Sequence, residues 1–114
     1  MSTNHKECYQ EIMSSMGELS KNCSGVMAGF GQLHNEAIKD GALSTKNKEL
    51  IALGIAIAVR CTGCIQCHVK AAIDAGATRE EICEAVGVAI LMSGGPGTVY
   101  GSMALEAADQ FLAK

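Results

Sequence analysis

The sequence predicts an all-α fold of about six helices, and three observations carry that expectation. Of the 114 residues 48% are apolar, yet the chain holds only two tyrosines, two phenylalanines and one proline, and alanine is abundant. That mixture favours closely packed helices over a sheet. Apolar residues also recur at three- and four-residue spacing through successive segments. Glycine, serine and threonine punctuate those segments where helices stop and start. The length suits a single helical domain, 1–114, with a real core.

The first helix is expected from about Lys6 to Met16, with Cys8, Tyr9, Ile12, Met13 and Met16 on one stripe and Gly17 as an interruption. Residues 1–19 read as an N-terminal arm or an oligomer-contact helix. A second helix covers about Cys23 to Lys39 and stops at Asp40-Gly41, a left-handed cap. Ser44 or Thr45 starts a third, running through Arg60, whose interior from Leu50 to Val59 is apolar on every side. Such a helix is expected to be buried all round. The fourth carries the cysteines and histidine of the motif region and ends at Ala75-Gly76. Thr78 with Glu81 forms a capping box for the fifth, about Arg79 to Met92. Ser93 to Gly97 breaks it, and the sixth runs from about Thr98 to Leu112. Ala37–Ser44 and Ala72–Thr78 form a weak repeat, each a helix stop and hydroxyl cap before an apolar helix.

Charge and hydropathy exclude several function classes. A net charge of -3 and a pI near 5.5 leave no basic footprint for nucleic acid. The polar start, Met1 to Glu7, does not read as a signal peptide, and Leu50 to Val59 is about half the length of a membrane span. These features point to a cytoplasmic protein with no membrane partner. In that compartment disulfides are transient and catalytic rather than structural. Two strongly apolar helices are also more than one small domain hides, so a closed symmetric homo-oligomer is expected.

The chemistry concentrates between residues 49 and 68. Cys61-Thr62-Gly63-Cys64 is a C-x-x-C pair, and His68 lies one helical turn beyond Cys64. A helix N-terminus favours thiolate, the nucleophilic form, and His68 can take the thiol proton. Glu49, on the preceding helix, can orient that imidazole across a gap that side chains and one water would nearly close. The same residues serve other chemistries. Cys61, Cys64, Cys67 and His68 are all permitted zinc ligands, although Cys67 and His68 point about 100° apart on a helix. Cys64-Ile65-Gln66-Cys67-His68 spells a c-type haem attachment sequence, without the export signal that attachment requires.

Glu49, eleven intervening residues, Cys61-x-x-Cys64 and x-x-x-His68 resemble the motif of the AhpD-like alkylhydroperoxidases, within the carboxymuconolactone decarboxylase superfamily. Lys48-Glu49-Leu50-Ile51-Ala52-Leu53, Ala75-Gly76-Ala77-Thr78-Arg79-Glu80-Glu81-Ile82 and Gly94-Gly95-Pro96-Gly97-Thr98-Val99-Tyr100-Gly101 are similar to small members as well. The likeness covers roughly residues 20 to 112. It implies a helical bundle of the AhpD-like type, assembly as trimers or hexamers, and cofactor-free reduction of small hydroperoxides or disulfides at the expense of a thiol reductant. Cys64 is then the peroxidatic thiol, Cys61 the resolving thiol, and His68 with Glu49 the proton relay. The founding enzymes carry a histidine between the two cysteines, where this chain has Gly63, and have a second N-terminal repeat that it lacks. The alternatives are a metal- or haem-binding protein, a decarboxylase-branch member, or a non-catalytic module.

Other residues read blandly. Cys8, Cys23 and Cys83 are expected to be small buried hydrophobes, Cys83 above all, and Cys67 a core residue or a spare thiol. His5 reads as a solvated tail residue and His34 as a surface or subunit contact. The methionines read as core filler, and residues 94–97 as a tight turn rather than an anion cradle.

Overall fold

The computed structural model describes residues 3–113. They form α1 (His5–Asn22), α2 (Ser24–Ile38), α3 (Thr45–Ala58), α4 (Thr62–Asp74), α5 (Arg79–Ser93) and α6 (Gly95–Leu112), with no strand among the described residues. Four of the six helices begin where a side chain satisfies a free N–H group, while α2 and α6 start without a side-chain cap. Asn4 accepts from Glu7 N–H, Ser44 from Asn47 N–H, and Thr78 closes a complete capping box with Glu81.

Four boundaries differ from the expectation. The first helix continues through Gly17 to Asn22, since one exposed glycine costs under about 1 kcal/mol, too little to break an eighteen-residue hydrogen-bond ladder. The sixth starts three residues early, at Gly95, because Pro96 falls in its first turn, where a missing N–H costs nothing. The third ends at Ala58, short of Arg60. The second ends at Ile38, and the expected left-handed cap at Gly41 is absent, since among the described glycines only Gly76 and Gly94 have positive φ. Asp40 instead turns its carboxylate back to accept from Thr45 N–H at 2.7 Å.

The α3–α4 and α5–α6 hairpins make the centre of the fold. Their facing residues are short. Ala56, Ala72, Ala89, Ala104, Ala107 and Ala108 are buried around Leu53, Ile57, Ile65, Val69 and Ile82. Alanine and glycine let helix backbones approach closely: a Cβ on Gly101 of α6 would lie 2.7 Å from Val86 Cγ1 of α5. α1 lies across α4 and α6, where Tyr9 meets Phe111 edge-on with centroids 5.7 Å apart.

The single chain does not bury all its apolar surface. α3 was expected to be enclosed on every side, but Ile51, Ile55 and Val59 are half or more exposed, as are Val88, Leu91 and Met92 of α5. The two helices line a mainly apolar groove of about 630 Å³ that includes Ile51, Ile55, Val88 and Met92, with Glu81 and Glu84 also in its lining. α2 buries none of its residues and presents Val26, Phe30 and Leu33 outward at helical spacing. That outlying helix helps explain a radius of gyration of 14.2 Å, against roughly 13 Å for a compact chain of this length.

Candidate redox site

The site is built by the turn between α3 and α4. α3 ends in a Schellman motif, in which Arg60 N–H donates to Ile57 O and Cys61 N–H to Ala56 O, both at 3.1 Å. The left-handed position of that motif is ordinarily glycine, yet here it is Arg60, with φ 60°. A side chain there costs about 1–2 kcal/mol. The motif reverses the chain at once, so Cys61 becomes the N-cap of α4, and the Cys61 sulfur accepts from Cys64 N–H at 3.2 Å.

Cys61 and Cys64 are joined by a disulfide, with Cα atoms 5.2 Å apart. Cys64 is exposed and Cys61 half-buried. One turn further along α4, His68 Nδ1–H donates to Glu49 Oε1 at 2.7 Å. Glu49 is 3% exposed and His68 about a quarter exposed at its side chain. No water is needed to close this contact, contrary to the expected gap. Measured from the ends of the helices rather than from Cys61, Glu49 lies about 14 Å and His68 about 9 Å from the turn. Two side chains span that difference. With the Glu49 carboxylate accepting from Nδ1–H, Nε2 is the ring nitrogen of His68 left free to accept. The four residues singled out in the sequence therefore occupy one hairpin, with the disulfide and the His68–Glu49 pair a turn apart.

Gly63, between the two cysteines, has a physical reason to lack a side chain. A Cβ there would meet Ile12 Cδ1 of α1 at 3.1 Å. α1 crosses the first turn of α4, and a side chain at this position would require Ile12 to shift by a few tenths of an ångström.

The remaining thiols differ from their expected environments. Cys8 and Cys83 are half-buried and Cys23 is exposed, so none is a fully buried hydrophobe. Cys67 is half-buried, and burial pushes its thiol pKa up, which keeps it protonated and poorly nucleophilic at neutral pH. Among the described residues no group of three or more His, Cys, Asp or Glu side chains converges as metal ligands. Cys64, shared by the zinc and haem readings, is bonded to Cys61.

His5 was expected in solvent and is instead fully buried. Its Nδ1 accepts from Gln66 Nε2 of α4 and its Nε2–H donates to Glu106 of α6, both at 2.8 Å. Gln110 accepts from His5 N–H at 2.6 Å and donates to Thr3 O at 2.8 Å. This network pins α1 to the helix that carries the dithiol. One signal for it was present: Asn4 with Glu7 marks a helix start that draws His5 into the fold. His5→Ala is expected to destabilise the protein by about 2–3 kcal/mol, since it strands the buried Gln66 amide. Chemical denaturation would check this, and a loss below half a kilocalorie would mean that α1 is held by other contacts.

The comparisons agree with this architecture. The model of the carboxymuconolactone decarboxylase family matches residues 25–108. An uncharacterised protein of Cupriavidus necator is 36% identical over 109 residues, covering 96% of both chains. A Paracoccus denitrificans protein described as uncharacterised protein 4 in the cox locus is 36% identical over 85% of this chain and 87% of its own. The crystal structure of an apo carboxymuconolactone decarboxylase family protein from Legionella pneumophila is 39% identical, with a TM-score of 0.94, over 98% of this chain and 100% of that one.

Proposed function

Because this chain belongs to the carboxymuconolactone decarboxylase family, which includes decarboxylases and alkylhydroperoxidases, we propose that it is a cofactor-free thiol peroxidase or thiol–disulfide oxidoreductase. The observation that carries this reading is the placement of a C-x-x-C disulfide one turn from a histidine whose Nδ1–H is held by a buried carboxylate.

The two cysteines divide the work by their surroundings. Cys64 is the more exposed residue of the pair and shares a helix face with His68, whose Nε2 accepts the thiol proton. The Cys64 thiolate attacks the terminal oxygen of a hydroperoxide. The O–O bond breaks, an alcohol leaves, and Cys64 becomes a sulfenic acid. Cys61 then attacks the Cys64 sulfur, releases water and forms the disulfide. Cys61 suits this step because its sulfur caps α4 and receives Cys64 N–H, an arrangement that favours its thiolate. With a disulfide as substrate, the same thiolate–disulfide exchange runs without the peroxide step. A thiol donor closes the cycle in either case.

Glu49 holds the imidazole tautomer and stabilises the imidazolium that forms when His68 takes the proton. Glu49→Gln keeps the shape and removes the charge. It is expected to lower the turnover of hydroperoxide on the order of a hundredfold, with an unchanged circular-dichroism spectrum. Steady-state peroxide consumption at saturating thiol measures this, and a loss under threefold would remove Glu49 from the relay.

The groove between α3 and α5 and the outward face of α2 support a homo-oligomer, read as a trimer or hexamer. Exposed apolar residues grouped in this way are uncommon on a monomer.

A further inference from the structure

We propose that Arg60 is a binding residue for the electron donor, and that this donor is a thiol bearing a second, anionic group such as a carboxylate or sulfonate. The inference rests on the reading of Cys61–Cys64 as a redox pair and adds the chemistry of what reduces it.

Three observations converge on Arg60. Its backbone is left-handed, φ 60°, at the position of a helix stop that glycine fills without strain. Such strain, held beside a reactive group, points to a role for the side chain. A cation here also complements the negative end of α3. That does not account for the position, since a cation at Val59, one residue earlier and with ordinary φ, would serve the helix end equally. Second, Lys21, Lys39, Lys46, Lys70 and Arg79 are each engaged by a carboxylate and Lys48 by the Lys39 carbonyl. Arg60, like Lys6 at the far end of the chain, is exposed and has no carboxylate partner among the described residues; of these two cations only Arg60 adjoins the disulfide in sequence. Third, Arg60 directly precedes Cys61, in a chain whose net charge is -3. Without a local cation, that charge disfavours approach of an anionic donor to the disulfide.

The exchange balances. The donor thiolate attacks the sulfur of Cys64, the more exposed residue of the pair, the Cys61–Cys64 bond breaks, and its electron pair leaves on Cys61, where Cys64 N–H receives the charge. A second donor thiolate attacks the donor sulfur of the mixed disulfide. This releases a donor disulfide and the Cys64 thiolate, with two electrons transferred in all. Arg60 binds the donor's second anionic group through both steps and takes no proton.

The test uses the oxidised full-length protein and two thiols of similar size, 2-mercaptoethanesulfonate and 2-mercaptoethanol, compared per thiolate at low ionic strength. Reduction is followed by mass-tagging of the Cys61–His68 peptide. The sulfonate is expected to react about fivefold faster with the wild type, and salt should compress that preference. Arg60→Gln should bring the ratio to unity or below, and Arg60→Lys should restore most of it. Arg60→Gly should lose the preference while raising the thermal unfolding midpoint, a pairing that a merely structural arginine would not produce. A sulfonate-to-alcohol ratio that Arg60→Gln leaves unchanged overturns the proposal. Failure of both thiols to open the disulfide sinks the redox reading itself, and the donor assignment with it.

Discussion

Cys64→Ser is expected to abolish hydroperoxide turnover, with a loss on the order of a thousandfold or more. Removal of a covalent nucleophile leaves only what binding and positioning contribute. The companion variants give the result its meaning. Cys61→Ser keeps the attacking thiol but removes the resolving one, so a single turnover should leave Cys64 as a sulfenic acid that dimedone labels. Cys67→Ser should retain activity within about twofold, because burial already keeps that thiol protonated at neutral pH. Peroxide consumption with dithiothreitol as electron source, alongside intact-mass measurement, reads all three. If Cys64→Ser consumed peroxide at the wild-type rate, the dithiol would have no part in the chemistry. If Cys67→Ser were the inactive variant, the redox pair would be Cys64–Cys67 instead.

The second large effect concerns assembly. Ile55, Val88, Leu91 and Met92 are between 58% and 80% exposed on the single chain. Full burial of each such side chain is worth about 1.5–3 kcal/mol. Four of them offset a substantial part of the entropy lost on association. The wild type is therefore expected to sediment as a closed oligomer, well above the 11.8 kDa of one chain. Ile55→Glu places a charge in the lining of the α3–α5 groove. Desolvating an unpaired carboxylate costs more than the lost aliphatic contact, so the variant should sediment as a monomer at micromolar concentration. Analytical ultracentrifugation of both proteins decides the matter. A monomeric wild type would remove the oligomer from this account, whereas an oligomeric Ile55→Glu would move the interface elsewhere, with the outward face of α2 next in line.

How much was legible in the sequence depended on whether the controlling interaction was local. Helix number and most helix starts were legible, because Ser44 and Thr78 reach only three residues ahead to find their N–H partners. The Glu49, Cys61, Cys64 and His68 spacing marked a candidate site whose members the fold brings into one hairpin. The length of the Glu49–His68 gap was not legible. It turns on Arg60 adopting a left-handed backbone, a conformation that side chains disfavour and that sequence reasoning assigns to glycine. Gly17 and Pro96 misled for the opposite reason: each is a weak local signal that the hydrogen-bond ladder or its end position overrode. His5 was misplaced in solvent: Asn4 and Glu7 marked the helix start beside it, but its partners Gln66 and Glu106 lie 61 and 101 residues away.

The sequence by itself therefore determined an all-α chain with a C-x-x-C pair at the start of a helix and a histidine one turn on. Periodicity, caps and motif spacing are properties of neighbouring residues, and they survive any arrangement of the helices. Only the tertiary structure decided that Glu49 touches His68 directly, that α1 presses Ile12 onto Gly63, and that His5 is sealed against α4 and α6. It also left α2 and the α3–α5 groove uncovered on the single chain. Those outcomes depend on how far apart the helix axes lie and how sharply the chain reverses at Arg60, distances set by short side chains and one strained turn rather than by any local pattern.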